Sequence, residues 1–137
     1  MELILWRHAD AEDGYDDLAR KLTPKGRRDA EKVGAWLLKR LPQDFRVVAS
    51  PAVRAQQTAD ALKAKVQTDP RLAPGASVDD IAKAAGRSGT VVLVGHQPDL
   101  GEAIAHLLGG KSIRLQKGAL WWLEDDLVKA VVSPDLL

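Results

Sequence analysis

The sequence TVVLV at positions 90–94, followed by Gly95 and His96, decides the fold of this chain. It is rich in β-branched residues and shows no alternation of apolar and polar side chains. A short apolar run of this kind is typical of a strand buried on both faces, and such strands lie at the centre of parallel sheets. The segment therefore predicts an α/β protein with this strand in the middle of its sheet.

Strands and helices are predicted to alternate before and after this segment. Two shorter strands precede it, at residues 2–6 and 46–49. Helix starts are expected at Thr23-Pro24, Ser50-Pro51 and Ser77, where Ser or Thr caps the first turn, and a last helix at about Pro98–Leu108. Because helices then connect successive strands, most of the sheet should be parallel, with helices on both of its faces.

The C-terminal segments 113–116, 119–123 and 128–132 are predicted to form two or three closing strands. The turns between them are too short to hold a helix, so these strands should pair antiparallel. The expected fold is a three-layer α/β/α arrangement with a mostly parallel central sheet and antiparallel C-terminal edge strands. A length of 137 residues favours a single domain over residues 1–137.

The composition excludes several classes of function. The chain has no cysteine, which excludes disulfides, thiolate catalysis and zinc sites built from cysteine. Its 20 basic and 19 acidic residues give a net charge of +1, so no nucleic-acid or membrane partner is expected. The apolar run at residues 3–6 is too short for a secretory signal, and no stretch approaches the ~18 apolar residues of a membrane span. We therefore expect a cytoplasmic protein.

Unusual polar residues follow three of the predicted strands. Arg7 and His8 follow the first, Arg54 lies one turn beyond the end of the second, and His96 follows the strand at 90–94. Ligands of α/β sheets bind at the carboxyl ends of the strands, where helix N-termini add free N–H donors. A single Arg-His pair, a solvated arginine or a core histidine would each be unremarkable. Together, at equivalent strand ends, they predict a site for a phosphoryl group, whose oxygens arginine binds bidentately.

Four motifs resemble those of the histidine phosphatase superfamily, also called phosphoglycerate-mutase-like. They are LWRHA at 5–9, LTPKG at 22–26, SPAVRAQQT at 50–58 and VGHQP at 94–98, in the order found in that family. The short length, Ala9 in place of the usual glycine, and the continuation through Glu12 are similar to its small SixA-type branch, the phosphohistidine phosphatases. The resemblance covers nearly the whole chain.

The resemblance implies that His8 is the nucleophile and carries a covalent phosphoryl group. Arg7, Arg54 and His96 would hold the phosphoryl oxygens, with no metal or other cofactor. An attacking imidazole must be neutral, and we expect the two guanidinium groups to lower the pKa of His8. His96 is expected to be protonated, as a hydrogen-bond donor to the phosphoryl group. The substrate would be phosphohistidine in a partner protein, such as a histidine phosphotransfer domain, and the product inorganic phosphate.

Many members of the superfamily use a carboxylic acid to protonate the leaving group, and two residues are candidates for this role. Asp99 is expected near the start of its helix, with its carboxylate facing the helix N-terminus. Glu12 belongs to an acidic loop, Asp10–Asp17, whose role is open: a solvated loop, a group that orients site residues, or a docking surface. Phosphohistidine needs little help from an acid, since a neutral imidazole leaves, with a conjugate-acid pKa of about 6.5.

Two other functions remain open from the sequence. One is a phosphatase or mutase acting on a small metabolite, which would need an enclosed pocket. The chain between Arg54 and the strand at 90–94 is short for the loops that such a pocket requires. The other is a phosphate-binding module without catalysis, for which the arginines would suffice without His8 and His96.

Overall fold

The computed structural model describes all 137 residues. Its main elements in chain order are β1 (Glu2–Arg7), α1 (Pro24–Leu38), β2 (Arg46–Ala49), α2 (Val53–Ala59), β3 (Val66–Thr68), α3 (Val78–Ala85), β4 (Thr90–Gly95), α4 (Asp99–Leu108), β5 (Leu120–Glu124) and β6 (Leu127–Val132). No helix among them is both long and apolar enough to cross a membrane.

The six strands form one sheet in the order β3-β2-β4-β1-β5-β6. The first four of these neighbours run parallel. β5 is antiparallel to β1, and β6 is antiparallel to β5. The predicted central position of β4 and the antiparallel C-terminal edge are therefore confirmed.

Side chains of each central strand alternate between two cores, one on each face of the sheet. Ile4 and Trp6 of β1 pack with Val33 of α1 on one face. Leu5 packs with Ile81 of α3 and Ile104 of α4 on the other. A strand with a core on both faces has no position for a polar side chain. This explains the uninterrupted apolar sequence of β4 and confirms the three-layer arrangement.

Two strand predictions differ from the structure. Residues 113–116 form no strand, because α4 holds this segment as a loop: Gln97 Nε2 donates to the Ile113 carbonyl oxygen at 2.9 Å, and Ile113 N donates to Gly101 O. A Cβ at Gly101 would lie 1.7 Å from the Ile113 oxygen, so only glycine permits this approach. The edge strand β3 was not predicted, since it has three residues and Val66 is its single apolar one.

The helix after β2 begins later than predicted. α2 starts at Val53, so Ser50-Pro51 is not its cap. Ser50 Oγ instead accepts a hydrogen bond from Ala52 N at 3.2 Å and lies 2.7 Å from His96 Nε2. The partner of Ser50 is thus a residue that follows β4, and neighbouring residues in the sequence do not reveal it.

The loop from β1 to α1 is fastened to the first turn of α1. Thr23 caps this helix by accepting from Gly26 N, as predicted. The Thr23 hydroxyl also donates to Asp10 Oδ2 at 2.7 Å, and Thr23 N donates to Asp10 O. A Cβ at Gly26 would lie 2.0 Å from the Asp10 carbonyl oxygen, which accounts for the glycine in the LTPKG motif. The acidic loop is thereby held beside the carboxyl end of β1.

Candidate active site

The structure brings the four predicted site residues together at the carboxyl edge of the sheet. His8 follows β1, Arg54 lies in the first turn of α2, and His96 follows β4. All three are buried, with 7%, 4% and 3% of their surface exposed. The rings of His8 and His96 lie 5.2 Å apart between centroids. Arg7, the last residue of β1, is half-buried beside them.

The ring of His8 is oriented by a backbone carbonyl. Its Nδ1 lies 2.7 Å from Ala9 O, which can only accept a hydrogen bond, so Nδ1 carries the proton. Nε2 then has the lone pair and accepts from Arg54 Nε at 3.3 Å. Of the two ring nitrogens, Nε2 is thus the one able to attack an electrophile.

One edge of the Arg54 guanidinium group faces both histidines. Its Nε donates to His8 Nε2, and its Nη2 lies 3.4 Å from His96 Nδ1. Parallel N–H groups on one edge of a guanidinium match two oxygens of a phosphoryl group. Arg54 is thus placed to bind a phosphoryl group at the nitrogen that would carry it.

Arg7 contributes a donor that has no partner. Its Nη1 donates to Leu115 O at 2.8 Å, which fixes the side chain. Its Nε is buried and makes no hydrogen bond, the only such buried side-chain nitrogen or oxygen in the chain. A buried donor without an acceptor is costly, whereas an anion in this site would satisfy it.

The protonation of His96 follows from its two neighbours. Nδ1 faces a guanidinium nitrogen of Arg54, which can only donate, so Nδ1 carries the lone pair. The proton is on Nε2, which donates to Ser50 Oγ at 2.7 Å. Ser50 therefore orients His96, a role that its sequence pattern, which is that of a helix cap, did not reveal.

Both histidines are held neutral in the free site. The pKa of His8 is lowered to about 4, chiefly by burial and then by the positive charges of Arg54 and Arg7, while the hydrogen bond to Ala9 O acts in the opposite direction. The predicted direction is confirmed, but burial rather than the arginines is the largest cause. The pKa of His96 is lowered to about 3. Burial is the largest cause, and the electrostatic effects of His8 and Arg54 are the next largest. His96 is neutral in the free site, because a buried imidazolium beside arginine loses hydration without gaining an anion; the protonated His96 expected from the sequence concerns the site with a phosphoryl group bound.

These protonation states can be tested by NMR titration of the imidazole nitrogens. Neither His8 nor His96 should protonate between about pH 5 and pH 8, because both pKa values lie below the ordinary value of about 6.5. Phosphate should raise the pKa of His96, since a nearby dianion favours the charged ring. A His106→Asn variant assigns the third histidine. Titration of His8 near pH 6.5 would contradict the lowered pKa of this residue.

The two candidate acids do not contact these residues. Asp99 is buried, and its Oδ2 accepts from Gly75 N at 2.9 Å and Ala76 N at 3.1 Å. It thus fastens the loop before α3, a long-range role that its position after Pro98 did not indicate; burial raises its pKa. The Glu12 side chain is exposed, and only its backbone is hydrogen-bonded, to Lys21 and Arg20.

One residue of the acidic loop does reach the site. Arg54 donates from Nη1 to Asp17 O at 2.6 Å and from Nη2 to Asp17 Oδ2 at 3.0 Å. The sequence left the role of this loop open, because no local pattern distinguishes Asp17 from the neighbouring Asp16. Nowhere in the chain do three or more His, Asp or Glu side chains form a group that could hold a metal ion.

Fold and site together define a class of protein. A neutral histidine at the end of β1, two arginines and a second histidine form an anion site at the carboxyl edge of a mostly parallel sheet. The class is therefore an α/β protein whose site has the residue types that suit a phosphoryl group. The model of the histidine phosphatase superfamily (branch 1) matches residues 3–76, more than half of the chain. The chain belongs to this superfamily.

Comparisons with individual proteins agree with this assignment. The chain is 36% identical to an uncharacterised protein of Mycobacterium tuberculosis over 67% of its own length, and it spans 63% of the length of that relative. It is 28% identical to the phosphohistidine phosphatase SixA of Escherichia coli, with 82% of this chain and 77% of SixA aligned. A solved structure of the protein histidine phosphatase SixA with tungstate superposes with a TM-score of 0.86, at 24% identity and with 99% of both chains covered.

Proposed function

We propose that this chain is a phosphatase that removes the phosphoryl group from phosphohistidine in a partner protein, through a phosphohistidine intermediate on His8. The observation that carries this proposal is the geometry around His8. Its unprotonated Nε2 faces the Arg54 edge that also points at His96. The proteins similar to this chain include the phosphohistidine phosphatase SixA of Escherichia coli and the solved structure of a protein histidine phosphatase SixA.

In the first step, the lone pair of His8 Nε2 attacks phosphorus and the phosphorus–nitrogen bond of the substrate breaks. The substrate imidazole, protonated on its other nitrogen, leaves as a neutral ring. His8 becomes a phosphorylated imidazolium, because its Nδ1 keeps its proton. The Ala9 carbonyl oxygen, 2.7 Å from Nδ1, stabilises that positive charge. Arg7 Nε and the Arg54 edge stabilise the oxygens of the transferring group.

In the second step, water attacks phosphorus and the electron pair of the bond to His8 returns to Nε2. His8 again leaves as a neutral imidazole with its proton on Nδ1, so neither step requires a strong acid. Both hydrogens of the water stay with the released dihydrogen phosphate, which then loses one to solvent. His96 Nδ1 also carries a lone pair at this site, and it would accept a hydrogen bond from that water once the phosphoryl group has replaced it as the partner of Arg54 Nη2.

The shape of the protein favours a macromolecular substrate over a small metabolite. Two of the surface cavities, of about 640 and 510 Å³, lie between α1 and α2 and between α3 and α4. Neither is lined by Arg7, His8, Arg54 or His96. A phosphorylated side chain projecting from a protein needs no enclosing pocket. A histidine phosphotransfer domain is the kind of partner we propose, which would place the chain in a cytoplasmic signalling relay.

A panel of leaving groups tests this function. Phosphohistidine proteins and aryl phosphates should turn over, whereas phosphoserine and sugar phosphates should react at least about a hundredfold more slowly in kcat/KM. An alkoxide leaves poorly without a general acid, whose contribution is typically about 10²–10⁴-fold. Phosphate release measured side by side on each substrate gives the comparison. Binding of phosphate without turnover of any substrate would instead indicate a binding module.

Two carboxylate variants serve as controls for this panel. Asp99→Asn should change the rate on phosphohistidine by less than about tenfold, below the usual contribution of a general acid. The asparagine oxygen can still accept from the Gly75 and Ala76 amides, so the loop stays in place. Glu12→Gln should have as little effect. Fast hydrolysis of alkyl phosphates that either substitution abolishes would favour a metabolite phosphatase.

A further inference from the structure

We infer that Asp17 is a positioning residue, which orients Arg54 for its contact with the phosphoryl group. The inference rests on the proposed function and concerns the same site. Asp17 lies in the loop between β1 and α1, and 54% of its side-chain surface is exposed, so nothing about its burial marks it as functional. Its contacts do.

Asp17 binds Arg54 through two different atoms. Its backbone carbonyl oxygen accepts from Nη1 at 2.6 Å, and its carboxylate Oδ2 accepts from Nη2 at 3.0 Å. This carboxylate is the only one that forms an ion pair with Arg54. The two partners differ in burial, since only 5% of the Arg54 side-chain surface is exposed, against 54% for Asp17.

The two edges of the Arg54 guanidinium group therefore have separate partners. Asp17 holds the edge formed by Nη1 and Nη2. The edge formed by Nε and Nη2 faces His8 and His96. Because a guanidinium group is rigid and planar, fixing one edge also fixes the direction of the other. Asp17 thus aims two N–H groups at the space where the phosphoryl oxygens bind.

Asp17 is itself held in place by Arg20. Arg20 Nη1 donates to Asp17 Oδ1 at 3.0 Å, and Arg20 Nε donates to Glu12 O at 2.7 Å. Hydrogen bonds from Arg20 and Arg54, together with their positive charges, hold the pKa of Asp17 below its usual range, so the carboxylate stays ionised. A continuous set of contacts runs from Arg20 through Asp17 and Arg54 to His8. The neighbouring Asp16 has no side-chain hydrogen bond or ion pair in the structure.

Substitutions at Asp17, with Asp16→Ala as the matched control, test this role. Asp17→Ala should lower kcat/KM on phosphohistidine by about tenfold to a hundredfold, the usual cost of a small misplacement in a catalytic site. Asp17→Asn should recover part of this loss, because its amide oxygen can accept from Arg54 Nη2. Asp16→Ala should match the wild type. Full activity of Asp17→Ala would overturn the inference.

A double-mutant cycle separates positioning from a general structural effect. In an Arg54→Ala background, Asp17→Ala should cause no further loss, because the group through which it acts is absent. An equal fold-loss in both backgrounds would show that Asp17 acts independently of Arg54, against the inference. Circular dichroism and thermal unfolding of each variant report whether the fold is kept.

Phosphate affinity, measured by calorimetry in the same four proteins, gives a readout that does not need turnover. Asp17→Ala should weaken phosphate binding when Arg54 is present and leave it unchanged when Arg54 is absent. If the wild type hydrolyses no phosphohistidine, the proposed function fails, while this measurement still decides the role of Asp17. Equal phosphate affinity of the wild type and Asp17→Ala would rule out the positioning role.

Discussion

Replacement of His8 by alanine is expected to remove essentially all turnover, with a loss of more than about a thousandfold in kcat, since removal of a nucleophile usually costs far more than that. In the structure, His8 Nε2 is the unprotonated ring nitrogen held against the Arg54 edge. The measurement is single-turnover and steady-state phosphate release from a phosphohistidine protein.

Two controls make the His8→Ala result interpretable. His106→Ala removes an exposed histidine of α4 and should leave the rate unchanged. Incubation with radiolabelled substrate should trap an acid-labile, base-stable phosphoryl group on the wild type and none on His8→Ala. A variant that keeps more than about a thousandth of the wild-type rate would show that His8 is not the nucleophile.

Arg54→Ala should produce the second-largest loss, about 2–4 kcal/mol of transition-state stabilisation, comparable with removal of an oxyanion donor. The side chain donates from Nε to His8, and its Nη2 faces His96, so both donors lie where charge develops on the phosphoryl oxygens. The measurement is kcat/KM on phosphohistidine, together with phosphate affinity. Both should fall, because in the proposed mechanism the guanidinium contacts the phosphoryl group in substrate, transition state and product.

Arg54→Lys distinguishes geometry from charge at the same position. Lysine retains the positive charge but presents one ammonium group, so it cannot face His8 and His96 from one rigid edge while its other edge binds Asp17. It should therefore recover little of the lost activity. Near-wild-type turnover by Arg54→Lys, with thermal stability unchanged, would show that charge alone is needed and that the orientation of Arg54 is unimportant.

The gross fold, and the convergence of Arg7, His8, Arg54 and His96 at one edge of the sheet, could be predicted from the sequence. The apolar segment at 90–94 indicated a strand with helices on both sides, and its neighbours in the sheet are β2 and β1. Arg7, His8 and His96 each follow a strand, and Arg54 lies one helical turn beyond another. Because parallel strands all end at the same edge of the sheet, residues far apart in sequence had to converge there.

Irregular segments were harder to predict. The stretch 113–116 has the composition of a strand, but contacts with α4 hold it as a loop. Ser50-Pro51 has the pattern of a helix start, yet the serine hydroxyl binds His96. In both places a long-range partner overrode the local preference, and the identity of such a partner is not encoded in the neighbouring residues.

The sequence by itself determined the layered sheet, the strand ends that carry the site, and the residue types that bind a phosphoryl group, because these depend on local periodicity and on the common direction of parallel strands. Only the tertiary structure decided which ring nitrogen of each histidine is unprotonated, that His96 is neutral in the free site, that Asp99 fastens a loop, and that Asp17 rather than Asp16 holds Arg54. These properties depend on burial and on the direction of individual side chains, which are set by packing between segments distant in the chain.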